Sequence, residues 1–218
     1  MKTLGKLAPD ESWRLASTRS ERSERIRKAL LRAAAEVVGE VGYAEASITM
    51  ITQRAGVGQG TFYNYFKSRQ DILDTLLPDL GEQMLGYVHE KAVGGLGFPD
   101  LEERSFRAFF DFIKQTPHFS RILNEAESFA PVGFQRHLDN VARRYIRFLK
   151  RSVKSGEFTE YSEAELEVIA YMLMAARSYL SQRYTTDDGR NVELPQSGAK
   201  AYMKFVLYGL MGQPRSGE

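Results

Sequence analysis

Cysteine is absent from all 218 residues, and the chain carries only one tryptophan and three histidines. Without cysteine there is no disulfide framework, no thiolate metal site and no cysteine nucleophile, a composition that suits a reducing compartment. His89, His118 and His137 share no metal-ligand spacing, and neither G-x-S-x-G nor H-E-x-x-H occurs. The sequence therefore assigns no catalytic residue, no metal and no cofactor, and an all-helical enzyme is the remote alternative. Apolar runs are only a few residues long, too short to span a bilayer. Asp10 and Glu11 stand where a signal peptide needs its apolar stretch. The expectation is a soluble, cytoplasmic chain with no membrane partner.

What is present is ordinary in bulk and uneven in distribution. With 43% hydrophobic and 27% charged residues the chain falls in the globular range. Residues 1–70 hold twelve Lys/Arg against seven Asp/Glu, a net +5, and the remainder nets −3. A basic first third suits a polyanionic partner, and it equally suits a solvated surface until a motif decides.

Periodicity predicts helices throughout and an all-α fold of about nine helices, since no strand-like alternation bounded by turn residues occurs. Thr18 with Glu21 starts the first helix, whose face is Ile26, Leu30, Ala34, Val37 and Val41, and Gly42 ends it. Ser47 caps a short helix to Ala55, and a third short segment covers Gln59 to Tyr65. The next helix starts near Ser68, with a kink or break expected at Pro78. Gly94–Pro99 reads as a loop, Asp100 as a helix start, Pro117 as another and Pro131 as a stop. A long helix then ends at Gly156. Ser162 with Glu165 opens another, a polar loop covers about Thr185 to Ser197, and a last helix runs to about Leu210 before a loose tail.

Ile48 to Arg69 meets the needs of a helix-turn-helix: a short helix, a turn at Gly56-Val57-Gly58 plugged by Val57, and a second short helix. Gly58-Gln59-Gly60 exposes backbone donors at a helix start, where a phosphate is accepted. Thr61, Tyr63, Asn64 and Tyr65 offer the hydrogen-bonding tips that a major-groove helix needs, and Phe62 and Phe66 bury together. The other reading of QGTFYNYF is a small aromatic core helix.

The stretch RIRKALLRAAAEVVGEVGYAEASITMITQRAGVGQGTFYNYFKSRQDIL, Arg25 to Leu73, resembles the DNA-binding domain of the tetracycline-repressor (TetR) family of bacterial regulators. The resemblance implies an all-helical homodimer with an N-terminal three-helix helix-turn-helix domain that binds a palindromic double-stranded DNA operator. It also implies a C-terminal helical domain for ligand binding and dimerisation. By matched position, Ser47 and Thr49 approach phosphates or groove edges, Arg69 a phosphate, and Gln59, Gly60, Thr61, Tyr63, Asn64 and Tyr65 line the recognition helix. Tyr63 and Tyr65 suit phosphate contacts, while the amides of Gln59 and Asn64 suit adenine. Gly58, Thr52 and Met50 depart from the usual serine, alanine and polar residue. The implied domains are 1–17 as a disordered extension, 18–68 as the DNA-binding domain and 69–218 as the effector and dimer domain. Arg14, Arg19 and Arg22 alternatively form a basic arm on adjacent DNA.

Eight of the thirteen phenylalanines lie between Phe98 and Phe134. In a regulator of the family that the chain resembles, these would surround a cavity for a small apolar or amphipathic effector, lined by Phe109, Phe112, Phe119, Leu123, Phe129, Phe134, His137, Tyr145, Tyr171, Met174 and Arg177, each otherwise an ordinary core residue. His137 and Arg177 would orient a polar end. The helices about Ala164–Tyr184 and Gly198–Leu210 mix small and large residues, permitting close packing, and the resemblance makes them a four-helix interface with a twin subunit. The function expected is a repressor released from its operator by an effector; the alternative is a helix-turn-helix regulator controlled by a protein partner.

Overall fold

The computed structural model describes residues 18–157, 161–184 and 193–210. The extension at 1–17 with Arg14, the loop at 185–192 and the tail from 212 lie outside the described residues. Among the described residues there are nine α-helices and no strand. They are α1 (Arg19–Glu45), α2 (Ile48–Ala55), α3 (Gln59–Phe62), α4 (Arg69–Ala92), α5 (Gly97–Gln115), α6 (Phe119–Phe129), α7 (Pro131–Lys154), α8 (Glu163–Arg183) and α9 (Gln196–Leu210). The chain forms two compact units, one of residues up to Asp79 with Arg121–Gln135, the other of Leu80–Ser120 with residues from Arg136 on.

In the first unit, α1 starts where the Thr18 hydroxyl accepts the Glu21 N–H, and Glu24 pairs with Lys28 one turn on at 2.7 Å. Its apolar stripe buries Ile26, Leu30, Ala34 and Val37, while Val41 is half-buried. Gly42 takes φ +83° and ψ 167° and interrupts α1, and the chain winds one more turn to Glu45. Leu30 and Val38 of α1, Ile51 of α2, Phe62, and Ile72 and Leu77 of α4 are fully buried and form the core that holds this unit. Each such side chain contributes roughly 1.5–3 kcal/mol by leaving water. Pro78 neither ends α4 nor divides it into two helices. It removes the N–H that would bond the Asp74 carbonyl. Gly133 packs against that carbonyl so closely that a Cβ would lie 2.4 Å from its oxygen.

The second unit is built around α5, whose buried stripe runs Phe98, Glu102, Phe106, Phe109, Phe110 and Ile113. Phe106 stacks on Tyr202 of α9 with ring centroids 3.9 Å apart, and Phe98 stacks on Phe148 of α7 at 5.5 Å. Ser162 and Glu165 form a complete capping box at the start of α8.

Several boundaries differ from the sequence expectation: α3 ends at Phe62, not Tyr65, and α6 starts at Phe119, two residues after Pro117. α5 starts at Gly97 because Asp100, already inside the first turn, accepts the Leu96 N–H at 3.0 Å and so caps from within. α6 does stop before Pro131, and Pro131 also opens α7, as a first helical residue has no use for its N–H.

Candidate nucleic-acid interface

The Ser47 hydroxyl accepts the Met50 N–H at 3.2 Å and starts α2, whose apolar side buries Ile51 and Ala55. Thr52, buried in this face, returns its hydroxyl proton to the Ile48 carbonyl at 2.9 Å, which satisfies a polar group that burial would otherwise penalise. Gly56 ends α2 in the left-handed region at φ +66°, where a Cβ is strained. Val57 follows half-buried, its N–H held by the Thr52 carbonyl at 3.0 Å, so the chain bends sharply into α3.

α3 is only one turn long. Beyond Phe62 the winding tightens: Asn64 N–H bonds the Thr61 carbonyl and Tyr65 N–H the Phe62 carbonyl, at 3.2 and 2.9 Å, before Phe66 returns to Phe62 at 3.1 Å. Phe62 and Phe66 are both buried, with ring centroids 5.7 Å apart, as their four-residue spacing requires. Burying these two rings turns the residues between and before them outward.

Gln59, Gly60, Tyr63 and Asn64 are exposed, and Thr61 and Tyr65 are half-exposed. Tyr63 stands edge-on to Phe62 and leaves 57% of its surface in solvent, much for an aromatic side chain. Gln59 donates to the Thr49 hydroxyl at 2.9 Å across the exposed side of the turn, joining two of the sequence-selected residues of α2 and α3. Ser47 is half-buried with its hydroxyl committed to the cap.

Arg69 is half-exposed. Its guanidinium donates to the carbonyls of Tyr43, Ala44 and Ala46, the acceptors left open where α1 ends. These bonds tie Arg69 to the end of α1, and the carbonyls leave its positive charge unneutralised.

The effector candidates fall into separate groups. Phe129 is exposed and stacks on Tyr43 in the first unit, where Leu123 and Phe134 are half-buried. In the second unit Phe112, Phe119 and His137 make a chain of edge-to-face contacts at 5.4 and 6.4 Å, and Phe109 is buried edge-on to Phe110. His137 is buried against Gly81, and burial drives its pKa down to about 4. It is neutral at pH 7. Tyr171 is exposed and Met174 half-buried on α8.

Tyr145 and Arg177 belong to a buried polar cluster that sequence reasoning found only in part. Glu102, fully buried, accepts from the Tyr145 hydroxyl at 2.6 and 2.7 Å, from the Tyr202 hydroxyl at 2.5 Å and from Arg177 at 2.7 Å. Arg177 also donates to the Ser105 hydroxyl at 2.8 Å. Burial opposes the charge of Arg177, but Glu102 outweighs it and holds the guanidinium proton well above its ordinary range. Burial likewise raises the Tyr145 phenol. The signal for Glu102 lay in its spacing, four residues from both Phe98 and Phe106, where a carboxylate must find a partner.

Residues 30–76 match the family described as "Bacterial regulatory proteins, tetR family". Over 190 residues the chain is 23% identical to the HTH-type transcriptional regulator YdgC of Bacillus subtilis, covering 85% of this chain and 92% of that one. A TetR-family transcriptional regulator from Pectobacterium atrosepticum superposes with TM-score 0.68 at 22% identity, over 91% of this chain and all of that one. The transcriptional regulator FadR from Bacillus subtilis, solved in complex with stearoyl-CoA, superposes with TM-score 0.71 at 18% identity, over 84% of this chain and 98% of that one.

Proposed function

We propose that this chain, whose residues 30–76 match the tetR family of bacterial regulatory proteins, is a repressor that binds a palindromic operator as a homodimer and is released by a small amphipathic effector. The observation that carries the DNA-binding half is the outward display of Gln59, Tyr63 and Asn64 on a turn whose inward side is locked by Phe62 and Phe66. Gln59 and Asn64 read base edges, and Tyr63 and Tyr65 hold phosphates. Gly60 leaves the backbone at the start of α3 open to a close approach, with nothing within 4 Å of where a Cβ would stand.

Dimerisation uses α8 and α9. Val168, Met172 and Tyr179 are exposed on α8 and Phe205 and Tyr208 on α9, an apolar surface that a lone subunit leaves in water. The twin subunit covers it and sets two α3 segments about one DNA turn apart, ~34 Å. The aromatic-rich interior of the second unit and the acyl-CoA bound by FadR support a fatty-acyl effector. α4 runs from the first unit into the second, and effector binding shifts it and spoils the spacing.

The test uses duplexes selected by the full chain from a random library. Tyr63→Phe is expected to weaken binding to all of them alike, and Asn64→Ala to relax preference at one position while costing about 1–3 kcal/mol. Long-chain acyl-CoA is expected to release the duplex. A chain that selects no sequence, and stays monomeric, overturns the proposal. A chain that selects duplexes but keeps them in the presence of acyl-CoA overturns the effector assignment and leaves a partner protein as the controlling input.

A further inference from the structure

The break in α1 at Gly42 separates a hydrogen-bond pair. In an unbroken helix the Tyr43 N–H would bond the Gly39 carbonyl, four residues earlier. Here both groups are taken over by two side chains of α6. Glu125 Oε2 accepts the Tyr43 N–H at 2.9 Å, and Arg121 donates to the Gly39 and Glu40 carbonyls at 3.2 and 3.1 Å. Arg121 and Glu125 are themselves paired at 2.7 Å, one turn apart on α6.

The fit is close. A Cβ on residue 42 would stand 2.7 Å from the Arg121 guanidinium and 3.0 Å from the Glu125 carboxylate, so glycine serves both the backbone angle and the approach of the pair. Tyr43 is fully buried, and its ring lies nearly parallel to that of Phe129 on α6, 10° between planes. Four residues after Tyr43, Ser47 starts α2. The chain leaving Gly42 thus enters the helix-turn-helix within five residues, and α2 is bound back to α1 by Arg54 with Glu36 and Glu40.

We infer that Arg121 and Glu125 are positioning residues for operator binding: by replacing the broken bond of α1 with a donor and an acceptor from α6, they fix the angle at Gly42 and hence the aim of α2 and α3. This rests on the proposed reading of paired half-sites by a dimer. Donor and acceptor are not interchangeable here, since an N–H requires the carboxylate and carbonyls require the guanidinium. An ion pair acting only as a helix-surface contact would lack that polarity.

The polarity gives the test. Full-length wild type, Glu125→Ala, Glu125→Gln and the swap Arg121→Glu with Glu125→Arg are compared on selected operators whose half-site separation is varied by one or two base pairs, and on a duplex with one half-site. Wild type is expected to show a sharp optimum. Glu125→Ala is expected to flatten it by about tenfold, the effect of one lost charge-assisted hydrogen bond, with single half-site affinity unchanged. Glu125→Gln retains an acceptor and is expected to retain the optimum; the swap restores the ion pair but not the backbone bonds and is expected to fail. Exchange of the Tyr43 amide, faster in Glu125→Ala and the swap only, reports the clasp without DNA. A preserved optimum in Glu125→Ala, a fully restoring swap, or a uniform loss on single and paired sites together with a lower Tm overturns the inference. A wild type that selects no DNA overturns the underlying proposal, and an unaltered Tyr43 amide in Glu125→Ala overturns the clasp.

Discussion

Removing Arg177 should cost more stability than removing any exposed charge in this chain. Arg177 leaves only 7% of its surface in solvent and Glu102 none, so truncation to alanine leaves a carboxylate enclosed by Phe106, Tyr145 and Tyr202 with hydroxyl donors alone. Breaking one partner of a buried ion pair costs about 3–5 kcal/mol. For a chain of this size that is a fall in Tm of roughly 6–20 °C. The assay is urea unfolding of the full-length protein at fixed concentration, at pH 7. The decisive comparison is Glu102→Leu with Arg177→Met, which replaces the pair with apolar groups and should recover most of the loss or exceed wild type. If Arg177→Ala costs under about 1 kcal/mol at pH 7, and the double variant is no better, then water or another donor reaches Glu102 and its enclosure is misjudged.

Two further outcomes test groups whose roles the structure makes specific. His137, neutral because burial lowers its pKa to about 4 from 6.5, takes up its proton more readily when unfolded, so stability is complete above about pH 6.5 and is lost as pH falls toward 4. The loss through this group is on the order of 3 kcal/mol, and His137→Gln should remove that part of the slope in pH-dependent unfolding. Arg69→Ala strands the carbonyls of Tyr43, Ala44 and Ala46 and should lower stability by about 1–3 kcal/mol while leaving the salt slope of DNA binding unchanged. A slope reduced by about 0.9 would return Arg69 to the phosphate role that its sequence position suggested.

The helices were largely legible because their signals are local. Ser47, Gly56 and the Ser162/Glu165 box act within one turn, and the Phe62–Phe66 spacing fixed which side of the recognition segment turned inward. The errors were also local, and they came from residues with two uses. A proline can both end one helix and open the next, and Pro131, read only as a stop, does both. Asp100 caps from before a helix or from inside its first turn, and only the Leu96 N–H decides which.

The less legible features are those in which one side chain completes the hydrogen bonding of a distant backbone. Spacing could have marked Glu102, which the sequence reading passed over, as a polar residue on an apolar stripe, because Phe98, Glu102 and Phe106 recur on α5 as Leu166, Ala170, Leu173 and Arg177 do on α8. No pattern marks Arg121 and Glu125, whose four-residue spacing is that of many exposed helical ion pairs. What distinguishes them is Gly42, some eighty residues earlier, where a helix gives up one bond and needs a donor and an acceptor from elsewhere. Arg69 is tied to a distant stretch of backbone in the same way. Its charge was plain in the sequence, but three carbonyls at the end of α1 decide where that charge goes. An unsatisfied helix end is therefore as strong a claim on a basic side chain as a nucleic-acid backbone, and the two claims differ by an observable: salt competes with phosphate contacts far more than with bonds inside the fold.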